Sequence, residues 1–167
     1  NELASLCKQA KEKGFRVSIY PELSFPAKAD EYWFVATRDE SWWQRWYQEY
    51  ARYLNNFSLF ASQNNIDHLI VGENDIRFSY PDGLNTEEEK LGTPDYASET
   101  WSTMLGQVRK NYSGTILWAS LVNDLPDFTF LDVVDGYYLL QNHSEEAYDV
   151  VSLNQLIQTQ LLPFHKN

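Results

Sequence analysis

Residues Ile66 to Val71 form an apolar, β-branched run that stops at Gly72 and gives way to Glu73, Asn74 and Asp75 before Ile76. Short apolar runs of this kind are strands buried on both faces, which occur where helices cover a parallel sheet. In parallel α/β sheets and barrels the chemistry lies just past the carboxyl ends of the strands. Glu73 and Asp75 are therefore the first candidates for a functional site. The structural alternative is that Glu73 caps a turn, since carboxylates at such positions also serve structure.

A parallel strand requires helices before and after it, and the chain supplies them. Leu3, Leu6, Cys7 and Ala10 recur at helical spacing, with Gly14 placed just after the helix end. Phe15, Val17 and Ile19 then alternate with Arg16, Ser18 and Tyr20, a strand that runs into Pro21 with Tyr20 and Glu22 at its mouth. Residues 27–40 have no period and read as a loop over the same edge, with Tyr32, Trp33 and Phe34 either tucked beneath it or lining a groove. Ser41 is the expected N-cap of the longest helix, whose stripe of Trp43, Trp46, Tyr47, Tyr50, Leu54, Phe57 and Ala61 is core.

After the opening stretch, residues 77–98 form a long loop punctuated by Pro81-Asp82-Gly83 and Thr93-Pro94-Asp95. Its run Glu87-Glu88-Glu89 is a solvated face, and loops of this length often serve as lids. Trp101, Met104, Leu105, Val108 and Tyr112 mark the next helix, and Thr115 to Leu121 a third strand ending at Asn123 and Asp124. Val133 to Leu140 reads as a fourth strand followed by Gln141, and residues 152–164 as a closing helix. Such alternation implies parallel pairing with right-handed crossovers, in an open doubly wound sheet or in part of a (β/α)8 barrel.

Composition excludes several functions. A chain of 167 residues with 43% hydrophobic content supports one domain, residues 1–167. A formal net charge of −11 without clustered Lys and Arg argues against nucleic acid, and an anionic membrane would repel the chain. No run approaches the roughly 18 apolar residues of a spanning helix, and no basic-then-apolar leader is present. The first residue, Asn1, lies inside a helical pattern, so the expectation is a segment of a longer gene product or a processed one. No glycine-rich phosphate loop follows a strand, no Gly-x-Ser-x-Gly elbow occurs, and His68, His143 and His165 lack ligand spacing. Neither a cofactor nor a metal is therefore expected. Cys7 is alone and reads as a buried small hydrophobe. Sequons at Asn56, Asn111 and Asn142 are too common by chance to decide anything.

What remains is a row of strand ends rich in carboxylates, amides and rings: Tyr20 and Glu22; Glu73, Asn74 and Asp75; Trp118 with Asn123 and Asp124; Tyr138 and Gln141. Glycoside hydrolysis uses such a set, with two carboxyl groups about the scissile bond, amides for the hydroxyls and a ring for stacking. The run Gly14 to Pro21, the Trp/Tyr helix before Ile66, the strand end Val71-Gly72-Glu73 and the stretch from Trp101 to Leu117 resemble consecutive units of TIM-barrel glycoside hydrolases. The likeness is to the mannanase-like family whose fourth strand ends in a catalytic Glu.

That resemblance implies the middle portion of a (β/α)8 barrel, roughly its third to sixth strands, with the rest of the barrel supplied by the same gene product. It implies a carbohydrate ligand, a β-linked polysaccharide met outside the cell, and a retaining mechanism with Glu73 as general acid/base. The nucleophile, a Glu ending the seventh strand, lies outside these residues. One departure is specific. The family pattern sets its Glu two residues after the glycine, where this chain has Asn74. Strand side chains alternate faces, so the offset turns Glu73 away from the cleft unless a bulge restores it. A non-catalytic carbohydrate-binding or interaction module on the same scaffold is thus the alternative, and a small flavodoxin-like domain a third.

Overall fold

Strands and helices alternate along the chain in the computed structural model, which describes residues 2–25, 31–33, 38–81, 93–121 and 129–140. Helix α1 (Glu2–Glu12) leads to β1 (Ser18–Ile19), α2 (Glu40–Gln63) to β2 (His68–Val71), and α3 (Ala97–Asn111) to β3 (Thr115–Leu121). Short 3-10 segments at Asn74–Ser79 and Thr129–Val133 follow β2 and precede β4 (Gly136–Leu140). The closing helix expected at residues 152–164 lies outside the described residues.

All neighbouring strands are parallel, and the sheet order is β1-β2-β3-β4. Sequential order decides between the two topologies left open. A doubly wound sheet reverses direction at a switch point, whereas same-handed crossovers without reversal leave every helix on one face and curl the other face inward. The curl is visible in side chains. Tyr20 past β1 and Tyr138 on β4 belong to opposite edges, about 14 Å apart in a flat sheet, yet their rings lie 5.7 Å apart. The flavodoxin-like alternative is thereby overturned.

The convex face packs on the helices through large rings. Trp43, Trp101 and Trp118 are fully buried together with Leu54, Leu69 and Ile116. The stripe foreseen on α2 supplies this core through Trp43, Tyr47, Tyr50, Leu54 and Ala61. The stripe of α1 behaves differently. Cys7 is buried, but Leu3 is 41% and Leu6 63% exposed, because α1 flanks β1 at the open edge of the sheet; Phe15, which the alternation places in the first strand, lies before β1 and is 64% exposed. Two further expectations are corrected. The N-cap of α2 is Asp39, whose carboxylate accepts from the Trp42 N–H at 2.8 Å while the Ser41 hydroxyl donates to the same oxygen. The fourth strand begins at Gly136, since Thr129–Val133 is already wound as a 3-10 turn.

Polar ties fix the strand starts opposite the candidate site. Arg109 on α3 donates to the carbonyls of Gly114 and Val133 and to Asp135, whose carboxylate also accepts from the Ile116 N–H at 2.7 Å. Tyr112 donates to the Ile66 carbonyl at 2.8 Å. The Asn111 amide donates to Asn55 and Ser58, so this sequon nitrogen is engaged in the seam between α2 and α3.

Asp67 joins α1 to the start of β1. Its carboxylate accepts from the Val17 N–H at 2.8 Å and from Lys11 at 3.2 Å. These bonds, the backbone one first, hold its pKa below the ordinary value. A depressed folded-state pKa gives stability that is present above the unfolded value, about 4, and lost as pH falls below it. In urea titrations between about pH 5 and pH 3, the unfolding midpoint should fall more for the wild-type chain than for Asp67→Asn, and parallel curves would show that the carboxylate contributes nothing.

Candidate active site

The site is built where β2 stops. Val71 is the last paired residue, and Gly72 takes a left-handed φ of +75°. A Cβ at this position would stand 2.8 Å from the Trp118 indole, so both the backbone angle and the space beneath it require glycine. Glu73 follows in extended conformation, φ −166° and ψ 156°. The left-handed residue ends the alternation of faces, so the orientation of Glu73 cannot be counted on from Val71. Its carboxyl group meets the chain leaving β1, where the Leu23 N–H lies 3.3 Å from each oxygen.

Among the described residues Glu73 has no strand neighbour for its own peptide groups. The Tyr80 hydroxyl takes that role: it accepts from the Glu73 N–H at 3.2 Å and donates to the Glu73 carbonyl at 2.8 Å. The residue is only 5% exposed. Burial raises its pKa from 4.5 to about 7, the Leu23 N–H opposes the rise, and the charges of Asp75 and Glu22 add to it. Tyr20 belongs to the same group of charges. Its phenol is pushed well above the ordinary value by burial, then by Glu73, Glu22 and Asp75.

The structure thus brings Glu73, Tyr20, Glu22 and Asp75 to one edge, with Tyr138 against the Tyr20 ring. Glu22 and Asp75 are exposed there, and the Asp75 carbonyl accepts from the Trp33 indole at 2.6 Å. Trp118 does not reach this edge, which corrects its reading as a sugar platform. It is 1% exposed and packs among Tyr80, Trp101 and Phe130 behind the sheet, under Gly72. Asn123, Asp124 and Gln141 lie outside the described residues, as does the side chain of Asn74.

Sequence reasoning missed Leu23 and Tyr80. Tyr80 carried one local signal, since a residue before proline is held extended, and Tyr80 has φ −74° and ψ 157°. Beside Leu23, a cleft of about 550 Å³ opens between the chain leaving β1 and α2, lined by Phe25, Tyr32, Trp46, Arg52, Tyr53 and Asn56. Among the described residues no group of three or more His, Cys, Asp or Glu could hold a metal ion. No helix among them is long and apolar enough to cross a membrane.

A parallel sheet in sequential order, curled about a carboxylate at a strand end, is the frame on which comparison with known proteins bears. The model of Glycoside Hydrolase Family 113 matches residues 1–164. The chain belongs to this family. A GH113 β-1,4-mannanase solved as a complex superposes with a TM-score of 0.69 at 16% identity, over 99% of this chain and 48% of that one. A second GH113 β-1,4-mannanase structure gives 0.61 at 19% identity, over 83% and 41%. The GH113 β-mannanase AaManA from Alicyclobacillus acidocaldarius, in complex with ManMIm, gives 0.57 at 17% identity, over 83% and 40%. No curated protein matches the chain significantly. This GH113 chain spans about half the length of the first solved relative. Its four parallel strands and their helices are part of a TIM-type barrel, and the mannanase-like resemblance read from its strand ends is borne out.

Proposed function

We propose that this GH113 chain is the middle portion of a barrel that hydrolyses β-linked mannan with retention of configuration, Glu73 being its general acid/base. The observation that carries the reading is the buried Glu73 carboxyl at the end of β2, beside Tyr20 and Glu22 and with its pKa raised to about 7. A carboxyl of that pKa is about half protonated at neutrality, and its protonated form can donate to the glycosidic oxygen. Once the leaving sugar departs, the same group, now ionised, takes a proton from water. Retention requires a second carboxylate about 5–5.5 Å away as nucleophile, which we assign to a strand beyond the described residues.

Tyr20 and Tyr138 offer rings for the sugar, and Glu22, Asn74, Asp75, Asn123, Asp124 and Gln141 are the proposed hydroxyl-binding groups. The ligand is carbohydrate, and the partner of the sheet edges is the rest of the barrel. A polysaccharide substrate places the reaction outside the cell.

The pH profile of mannan hydrolysis by the complete gene product tests the role of Glu73. A general acid must be protonated, so kcat/KM should fall as pH rises through about 7. A flat profile between about pH 6 and pH 8 would remove Glu73 from the chemistry. The second reading, a non-catalytic carbohydrate-binding module, is favoured by the Leu23 N–H beside both Glu73 oxygens and by Asn74 standing two residues after Gly72. Sugar binding that survives Glu73→Ala, with no turnover of any glycan, would establish it.

A further inference from the structure

Tyr80 is tied to two helices and to the ring core beside Glu73. The carbonyl before it, Ser79, accepts from Tyr47 of α2 at 2.8 Å and from Trp101 of α3 at 2.9 Å, so two helices fix the peptide that carries the ring. The ring lies 5.2 Å from that of Trp101 and 5.3 Å from that of Trp118. Trp118 in turn occupies the space under Gly72. From this frame the hydroxyl reaches both peptide groups of Glu73, donating to the carbonyl and accepting from the N–H.

We propose that Tyr80 is a positioning residue for the reaction: its hydroxyl replaces the sheet ladder that β2 lacks beyond Val71 and so fixes where the Glu73 carboxyl stands. This rests on the reading of Glu73 as acid/base. The phenol touches the main chain of Glu73 rather than its carboxylate, so it governs placement and not proton supply. Gly72 makes such a brace necessary, because a glycine hinge leaves the following residue free to swing unless something outside the strand holds it. Misplacement of a catalytic group by about 1 Å can cost about a hundredfold in rate.

The test is Tyr80→Phe in the complete gene product, assayed on β-1,4-mannan beside Glu73→Gln. Tyr80→Phe keeps the ring in its aromatic frame and removes only the hydroxyl. The expected result is a kcat lower by about 10- to 100-fold with KM within about twofold. The alkaline limb should also move below its wild-type position, because burial is the largest influence on the Glu73 carboxyl and a loosened carboxyl is better solvated. A purely structural role would lower the melting temperature without moving that limb. If Tyr80→Phe is not recovered folded, 4-fluorophenylalanine at position 80 fills the same space without a donor, and the same losses are expected.

Wild-type kcat and pH profile in either folded variant overturn the proposal, and so does failure of both to fold, which would make the hydroxyl a stability element. Loss of hydrolysis in Glu73→Gln with full activity in Tyr80→Phe would sink the positioning role alone. Full activity in Glu73→Gln would sink the reading of Glu73 with it.

Discussion

Replacing Gly72 with alanine should cost the fold about 2 to 5 kcal/mol, seen as a loss of roughly 4 to 20 °C in melting temperature. Two independent terms make up the figure. An L-residue in the left-handed conformation costs about 1 to 2 kcal/mol, and Gly72 sits at φ +75°. The new methyl would also stand 2.8 Å from the Trp118 ring, against the roughly 1 to 3 kcal/mol of an overpacked core. Trp118 cannot yield, because Tyr80, Trp101 and Phe130 pack around it at 5.3, 5.6 and 5.6 Å. Gly106 provides the control. It lies inside α3 with nothing within 4 Å of an added Cβ, so Gly106→Ala should hold or raise the melting temperature. Equal melting temperatures for Gly72→Ala and wild type would mean that the strand end is not strained as described.

The largest effect on activity is expected from Glu73→Gln. The amide keeps the shape of the side chain and can still accept from the Leu23 N–H, but it has no proton to give. General acid–base groups contribute about 10² to 10⁴ in rate, so turnover of mannan should fall by that order with the fold intact. Binding of mannan oligosaccharides should persist in the variant, since the proposed sugar contacts at Tyr20 and Tyr138 are untouched. Retained turnover would assign the chemistry to another residue and leave Glu73 as a turn-forming carboxylate.

The path of the chain was legible because its buried strands are short apolar runs between amphipathic helices, and Leu69 to Val71 and Ile116 to Ser120 lie where those runs fall. Facing was legible only where one side of an element meets water. In β3, Trp118, Ala119 and Ser120 are all buried, so no alternation betrays which side is which, and nothing in the sequence separates a Trp118 facing the cleft from the observed one behind the sheet. The Ser41 N-cap failed for a different reason: Asp39 and Ser41 are both good capping residues, and only the reach of the carboxylate to the Trp42 N–H separates them. The brace on Glu73 was not legible. Glycine permits either sign of φ, so the turn at Gly72 leaves no mark in the sequence, and Tyr80 meets Glu73 across the 3-10 segment Asn74–Ser79, which no sequence periodicity announces.

Whether Glu73 supplies the proton to the leaving group is measured directly by a comparison of substrates. An aryl β-mannoside with an acidic phenol leaves without protonation, whereas the sugar of mannan does not. For Glu73→Gln in the complete gene product, kcat/KM on mannan, which reports the first bond-breaking step, should fall by at least about a hundredfold while kcat/KM on the activated aryl substrate falls far less. An equal loss on both substrates, or no loss on mannan, would contradict Glu73 as the acid.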